Sequence, residues 1–79
     1  MVQLSQKETE ILRFIRRSRH KVTANEIARA LNLSESEVDV FVNGMIHEKL
    51  INLAPGRTTA ENAYYTNPEK REEIYDLIG

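Results

Sequence analysis

The chain has 79 residues, 41% of them apolar and 29% charged, with a formal net charge of −1 and no cysteine. That length predicts one domain, 1–79, whose small core buries roughly 60–65% of the unfolded surface. Without cysteine there is no disulfide or thiolate metal site, which suits the cytoplasm; no apolar run approaches the roughly 18 residues of a membrane span, and the opening MVQLSQKETE lacks the basic-then-apolar order of a signal peptide.

The near-zero net charge hides a segregation. Residues 13–29 hold Arg13, Arg16, Arg17, Arg19, Lys21 and Arg29 against the single Glu26. Residues 61–79 hold five acids against Lys70 and Arg71. A module that binds nucleic acid by charge alone carries a clear basic excess, so here any such binding must come from one side of the molecule.

Taken in order, Ser5-Gln6-Lys7-Glu8 is a capping box, with Leu4 before it as a hydrophobic staple. Ile11, Leu12 and Ile15 then recur at helical spacing, with Thr9 and Phe14 at the margin of the buried stripe. The helix fades near Ser18. The run Arg16-Arg17-Ser18-Arg19-His20-Lys21 is the most basic in the chain. It reads either as cations complementing a helix C-terminus or as a phosphate-contacting patch. Lys21-Val22 predicts a very short strand, with Val22 pointing inward.

Two further boxes follow eleven positions apart, Thr23-Ala24-Asn25-Glu26 and Ser34-Glu35-Ser36-Glu37. That spacing permits only a short helix, a turn and a longer helix. The short helix buries Ile27, Leu31 and Ala28; the small Ala28 and Ala30 permit close approach of another helix. Asn32 ends it, Leu33 is the buried residue of the turn, and the longer helix runs over 34–48. Val38, Val42 and Met45 face inward with Phe41 beside them; Ser36, Asp39, Val40, Asn43 and His47 face outward. Gly44 either permits close approach of a backbone or is tolerated at about 1 kcal/mol.

Residues 50–54 predict a strand with Ile51 and Leu53 on one side. Pro55-Gly56 is a turn, 57–62 a polar loop, and Ala63-Tyr64-Tyr65-Thr66 a return strand. Asn67-Pro68-Glu69 opens a last helix over 68–78, capped by Asn67, with Ile74, Leu77 and Ile78 as its apolar edge. The fold class is mainly α with a small β-hairpin (α+β), in the order helix, short strand, helix, helix, strand, strand, helix.

That order, together with Thr23-Ala24-Asn25-Glu26-Ile27-Ala28-Arg29-Ala30-Leu31-Asn32-Leu33-Ser34, Glu37-Val38, Glu48-Lys49-Leu50-Ile51 and Tyr65-Thr66, resembles the winged helix-turn-helix family of DNA-binding domains, of the transcriptional-regulator type. The resemblance spans Ser5 to Thr66. It implies that helix 34–48 reads a DNA major groove while the wing, 50–66, sets its 55–62 tip on the backbone. By position, Ser34, Ser36, Asp39, Val40, Asn43 and His47 would face bases and phosphates, Arg57 and Thr58 would sit at the wing tip, and Thr23 and Asn25 would meet phosphate at a helix start. Arg16, Arg17 and Arg19 would add cations. Two departures stand out: the outward face of helix 34–48 carries no Arg or Lys, and Lys49 stands where many relatives have glycine. The Z-DNA-binding branch of the fold is set aside, since its hallmark Asn and Tyr fall on Asp39 and Asn43.

Catalysis is not expected. His20 and His47 lie in no metal-ligand spacing, Glu72-Glu73 is a solvated helix face, and Gly44, Gly56 and Gly79 are too isolated for a phosphate loop. Neither a metal nor a cofactor is expected. The first functional expectation is a small transcriptional regulator that binds double-stranded DNA and dimerises through the last helix. The alternative is a protein-interaction module whose third helix docks a partner through Val40.

Overall fold

Each of the first three helices begins at a complete capping box. The computed structural model describes residues 3–78; Met1, Val2 and Gly79, at the ends of the expected 1–79 domain, lie outside the described residues. Helix α1, Gln6–Arg17, starts where the Glu8 N–H donates to Ser5 Oγ at 3.2 Å and Glu8 Oε1 accepts from the Ser5 N–H at 3.0 Å. Helix α2, Ala24–Leu31, and helix α3, Glu35–His47, repeat the arrangement at Thr23/Glu26 and Ser34/Glu37. Each box satisfies two backbone donors that would otherwise be orphaned at a helix start.

Strand β1, Val22–Thr23, runs straight into the cap of α2. It sits one residue later than the sequence predicts, because Thr23 is both the last strand residue and the cap. Strands β2, Ile51–Ala54, and β3, Ala63–Thr66, form the hairpin, and β1 pairs with β3 to make an antiparallel sheet of order β1-β3-β2. The small hairpin is therefore a three-stranded sheet. Helix α4, Arg71–Ile78, follows a 3-10 turn, Pro68–Lys70, whose start is capped by Asn67 Oδ1 accepting from the Glu69 N–H at 3.1 Å.

One core unites these elements. Ile11, Leu12 and Ile15 of α1, Ile27 of α2, Val38, Val42 and Met45 of α3, and Ile74 and Ile78 of α4 close on Val22, Leu50, Ile51 and Tyr64. Arg13, expected on the wet face of α1, reaches the end of α4. Its Nε and Nη2 donate to the Ile78 carbonyl at 3.2 and 3.0 Å, a cation at a helix C-terminus.

Both turns that end α2 and α3 use left-handed residues. Asn32 has φ 57°, and the Leu33 N–H donates back to the Ala28 carbonyl at 2.9 Å. Lys49 has φ 64°, the Lys49 N–H donates to Ile46 and the Leu50 N–H to Met45, both at 2.9 Å. These are Schellman closures, and each places a hydrophobic residue, Leu33 or Leu50, against the helix it ends. Lys49 thus holds a left-handed backbone, the conformation that favours glycine, at a cost.

Three sequence expectations are corrected, and one open alternative is decided. Leu53 is 42% exposed although it shares a strand side with buried Ile51, since β2 is an edge strand whose burial falls away after Ile51. Leu50, read as a strand residue, is fully buried as the Schellman residue before β2. Ala30 is exposed, so only Ala28 of the small pair is buried. A Cβ on Gly44 would meet nothing within 4 Å, so this glycine is tolerated rather than required by a close backbone.

Candidate nucleic-acid interface

Helix α3 is held by one face and presents the other. Val38, Val42 and Met45 are fully buried, while Ser36, Asp39, Val40, Asn43 and His47 are all exposed one helical step away. Val40 is 70% exposed, the most open large apolar residue described. No Arg or Lys lies within Glu35–His47. One acid of the helix is turned back and paired, however. Glu37 turns back to cap Ser34 and pairs with Lys7 of α1 at 3.4 Å. The backbone N–H of Ser34, then its hydroxyl and Lys7, hold the Glu37 carboxyl below its ordinary value. Glu35 and Asp39 remain as outward acids. Burial first, and then the Asp39 charge, push the Tyr64 phenol up.

The cap residues are already engaged. Thr23 Oγ1 accepts from the Glu26 N–H and donates to Glu26 Oε1 at 3.3 Å. Ser34 Oγ accepts from the Glu37 N–H and donates to Glu37 Oε1 at 3.1 Å. Glu26 is held below the ordinary carboxylate value by the Thr23 N–H first, with His20 and the Thr23 hydroxyl adding to it. A carboxylate therefore occupies the N-terminal end of both helices, where a phosphate would otherwise sit. Asn25, exposed in the first turn of α2, is the side chain left open there.

The wing tip is tied rather than loose. Expected as a plain polar loop, it contains a 3-10 turn, Thr59–Glu61. The Gly56 N–H donates to Asn62 Oδ1 and the Arg57 N–H to Glu61 Oε2, both at 2.9 Å. Any Cβ on Gly56 would fall 2.7 Å from the Glu61 carbonyl, so only glycine fits beneath the turn. Arg57 and Thr58 are exposed at this tip.

Arg16, Arg17 and Arg19 lie elsewhere. Arg16 and Arg19 line a depression with His20, Lys21, Tyr65 and Thr66. Tyr65 and Thr66 pair with Asn52 and Ile51, whereas the wing tip springs from the opposed pair Ala54 and Ala63. The basic run and Arg57 thus sit at opposite ends of the hairpin. Arg17 is exposed beside this region but lines neither depression there. Of the residues singled out from the sequence, the fold gathers Ser36, Asp39, Val40, Asn43 and His47 on one helix face and leaves Arg16 and Arg19 at the base of the sheet.

No protein-family model and no curated protein matches the chain. Solved structures do match. The adhesin competence repressor of Streptococcus pyogenes aligns along 95% of this chain and 54% of its own, at TM-score 0.77 and 17% identity. MarR of Staphylococcus aureus, solved with salicylate and kanamycin, aligns along 95% of this chain and 49% of its own, at TM-score 0.79 and 17% identity. A protein of Mycobacterium tuberculosis gives 0.76 at 14% identity, over 95% and 50%.

The fold is a winged helix-turn-helix. The chain spans about half the length of each of these structures. In winged-helix terms α2 and α3 are the helix-turn-helix pair, and residues 54–63 are the wing. Among the described residues no winged-helix side chains gather into a metal-binding group, and no helix is long and apolar enough to cross a membrane.

Sequence reading placed Lys21 in the basic run but missed Tyr65 and Arg71, and so missed the three as a group. Lys21 lay inside the basic run and was assigned to a strand. Tyr65 carried only a β-strand signal. Arg71 lies fifty positions from Lys21 and gave no signal, because the two are brought to one surface by β3 and α4.

Proposed function

We propose that the protein binds double-stranded DNA as a transcriptional regulator, with α3 in the major groove and the wing tip on the backbone. The observation that carries this reading is the free outward face of α3 on a helix whose opposite face is locked into the core. A helix of this kind fits a groove about 12 Å wide. The chemistry of the face supports base reading: Asn43 can pair with an adenine edge, Asp39 can accept from a cytosine amino group, and Val40 can meet a thymine methyl. One of the solved structures with the same fold is a repressor.

Titration of random duplex DNA, followed by fluorescence anisotropy as salt is raised from about 50 mM, tests this reading. The expected result is binding whose logarithm falls linearly with the logarithm of salt concentration. Absence of binding at low salt overturns it. Within a bound complex, Asn43→Ala should relax discrimination at one base position by about 1–3 kcal/mol.

A second reading is favoured by Val40, whose exposure on a helix without cations suits a protein partner better than phosphate. Under it, Val40→Asp abolishes partner binding and charge reversal at Arg16 and Arg17 is silent. A loss confined to the arginine variant rules this reading out. The dimer expected through the last helix must use what α4 leaves open. Ile74 and Ile78 are buried in the chain's own core, so Tyr75, 64% exposed, is the apolar residue available to a second copy. Sedimentation of Tyr75→Ser against the parent chain checks it: a shift toward monomer supports pairing through α4.

A further inference from the structure

We propose that the groove bounded by the end of α1, β1, the base of β3 and the start of α4 is a second nucleic-acid surface, separate from α3, that takes the phosphate backbone through Arg16, Arg19, Lys21 and Arg71. The inference rests on the DNA-binding reading above and says where its ionic affinity resides.

Two adjoining depressions of about 510 and 480 Å3 share Arg16, Tyr65 and Thr66 as common walls. Arg19 and Lys21 line one, and Arg71 lines the other. Among the described residues no carboxylate lines either. Glu26 meets His20, a wall of one depression, at 3.5 Å, while Glu69, Glu72 and Glu73 line a neighbouring depression that shares Arg71. Among the described residues Arg19, Lys21 and Arg71 enter no ion pair, since the pairs formed are Lys7–Glu37, His20–Glu26 and Lys70–Glu73. Lys21 is held in place by Tyr65, its Nζ lying 5.1 Å from the ring centroid.

A purely structural account covers only part of this. The carbonyls at the end of α1 attract Arg16, as any helix C-terminus attracts cations. They do not explain a cation beyond the helix, another leading into β1 and a third from α4 converging on one tyrosine. The cations are also spread along two connected depressions rather than focused on a point. That array matches a row of phosphates, spaced about 3.4 Å of axis apart on each strand, better than one compact anion. The cation-free α3 supplies the complementary reason: phosphate attraction must come from elsewhere on the molecule.

The hairpin fixes the separation. The groove lies at the Ile51/Thr66 end of the β2–β3 ladder and the wing tip leaves from the Ala54/Ala63 end. A nucleic acid seated on α3 and the wing therefore leaves the groove free for a further stretch of backbone.

The test uses the full chain and duplex DNA of about two turns. The triple variant Arg19→Gln/Lys21→Gln/Arg71→Gln is compared with Val40→Asp and with the unchanged protein, each checked for folding by circular dichroism. All three groove cations are exposed, so the triple variant should fold; the single Arg71→Gln serves if it does not. The expected result is a drop of at least about tenfold in affinity and a salt slope shallower by about 2–3, near 0.9 per lost contact. Val40→Asp removes no cation and should lower affinity through the α3 contact, with a slope change well short of the triple variant's. If the parent binds DNA and the triple variant keeps both affinity and slope, the groove proposal fails and the DNA reading stands. If the parent binds no DNA, both fail.

Discussion

The outward face of α3 and the groove at the base of the sheet are opposites. The helix face is built on a rigid support, carries Asn43, Asp39 and Val40, and has no cation. The groove carries four cations and one aromatic ring, and among the described residues no acid lines it. One surface is suited to discriminating among partners and the other to attracting a polyanion. The contrast shows how a chain of net charge −1 can still present strong local fields: what matters is where the charges lie, not their sum.

The strongest way to break the comparison is to remove what joins the two surfaces. Leu50 is fully buried at the end of α3, directly before β2. Leu50→Ala should cost about 2–5 kcal/mol in a urea titration, enough to unfold much of so small a domain. Both surfaces should then be lost together. A variant that lost DNA binding at α3 while the groove stayed intact would show that the two are not one cooperative unit.

A smaller effect is expected at Thr23, which ends β1 beside the groove and starts α2 of the helix-turn-helix. Thr23→Ala removes the cap oxygen and should cost about 1 kcal/mol, measured as a lower thermal midpoint. Lys49 works in the other direction. Its φ of 64° favours glycine, so Lys49→Gly should stabilise the domain by up to about 1 kcal/mol without touching either surface. An unchanged midpoint would mean that the longer side chain compensates for the backbone strain.

The smallest effect is one of pH. Glu26 and Glu37 titrate below the ordinary value of 4.5 in the folded chain, chiefly because cap N–H groups favour the carboxylate. Their contribution is fully present above the unfolded value and is lost as pH falls through the lowered folded values. Replacing both with Gln keeps an acceptor and removes the charge. Acid titration of that double variant should therefore show a shallower loss of stability below about pH 4.5. An identical acid profile would place the acid sensitivity elsewhere.

Much of the architecture was readable from local chemistry. Ser5/Glu8, Thr23/Glu26 and Ser34/Glu37 set the three helix starts because a capping box is a contact between residues three apart. The buried rows Ile11-Leu12-Ile15 and Val38-Val42-Met45 followed from helical spacing, and Pro55-Gly56 marked the wing. The exposed row on α3 was readable for the same reason, being the complement of the buried one. Errors arose where position in the fold outweighed pattern. Leu53 has the same strand parity as Ile51 and is still wet, and no local pattern showed that Arg13, exposed as its periodicity implies, also reaches the end of α4.

The sequence alone determined that short and long helices with a basic run before them would be followed by a hairpin, and it determined that the third helix carries no cation on its outer face. Only the tertiary structure decided where the basic run lies. Strand register sends Tyr65 and Thr66 to the base of the sheet, and α4 folds back to set Arg71 beside Arg16. Such neighbours are separated by tens of residues, and no local spacing records them. Capping and periodicity act within a helical turn or two, while the charge surface depends on how whole elements pack.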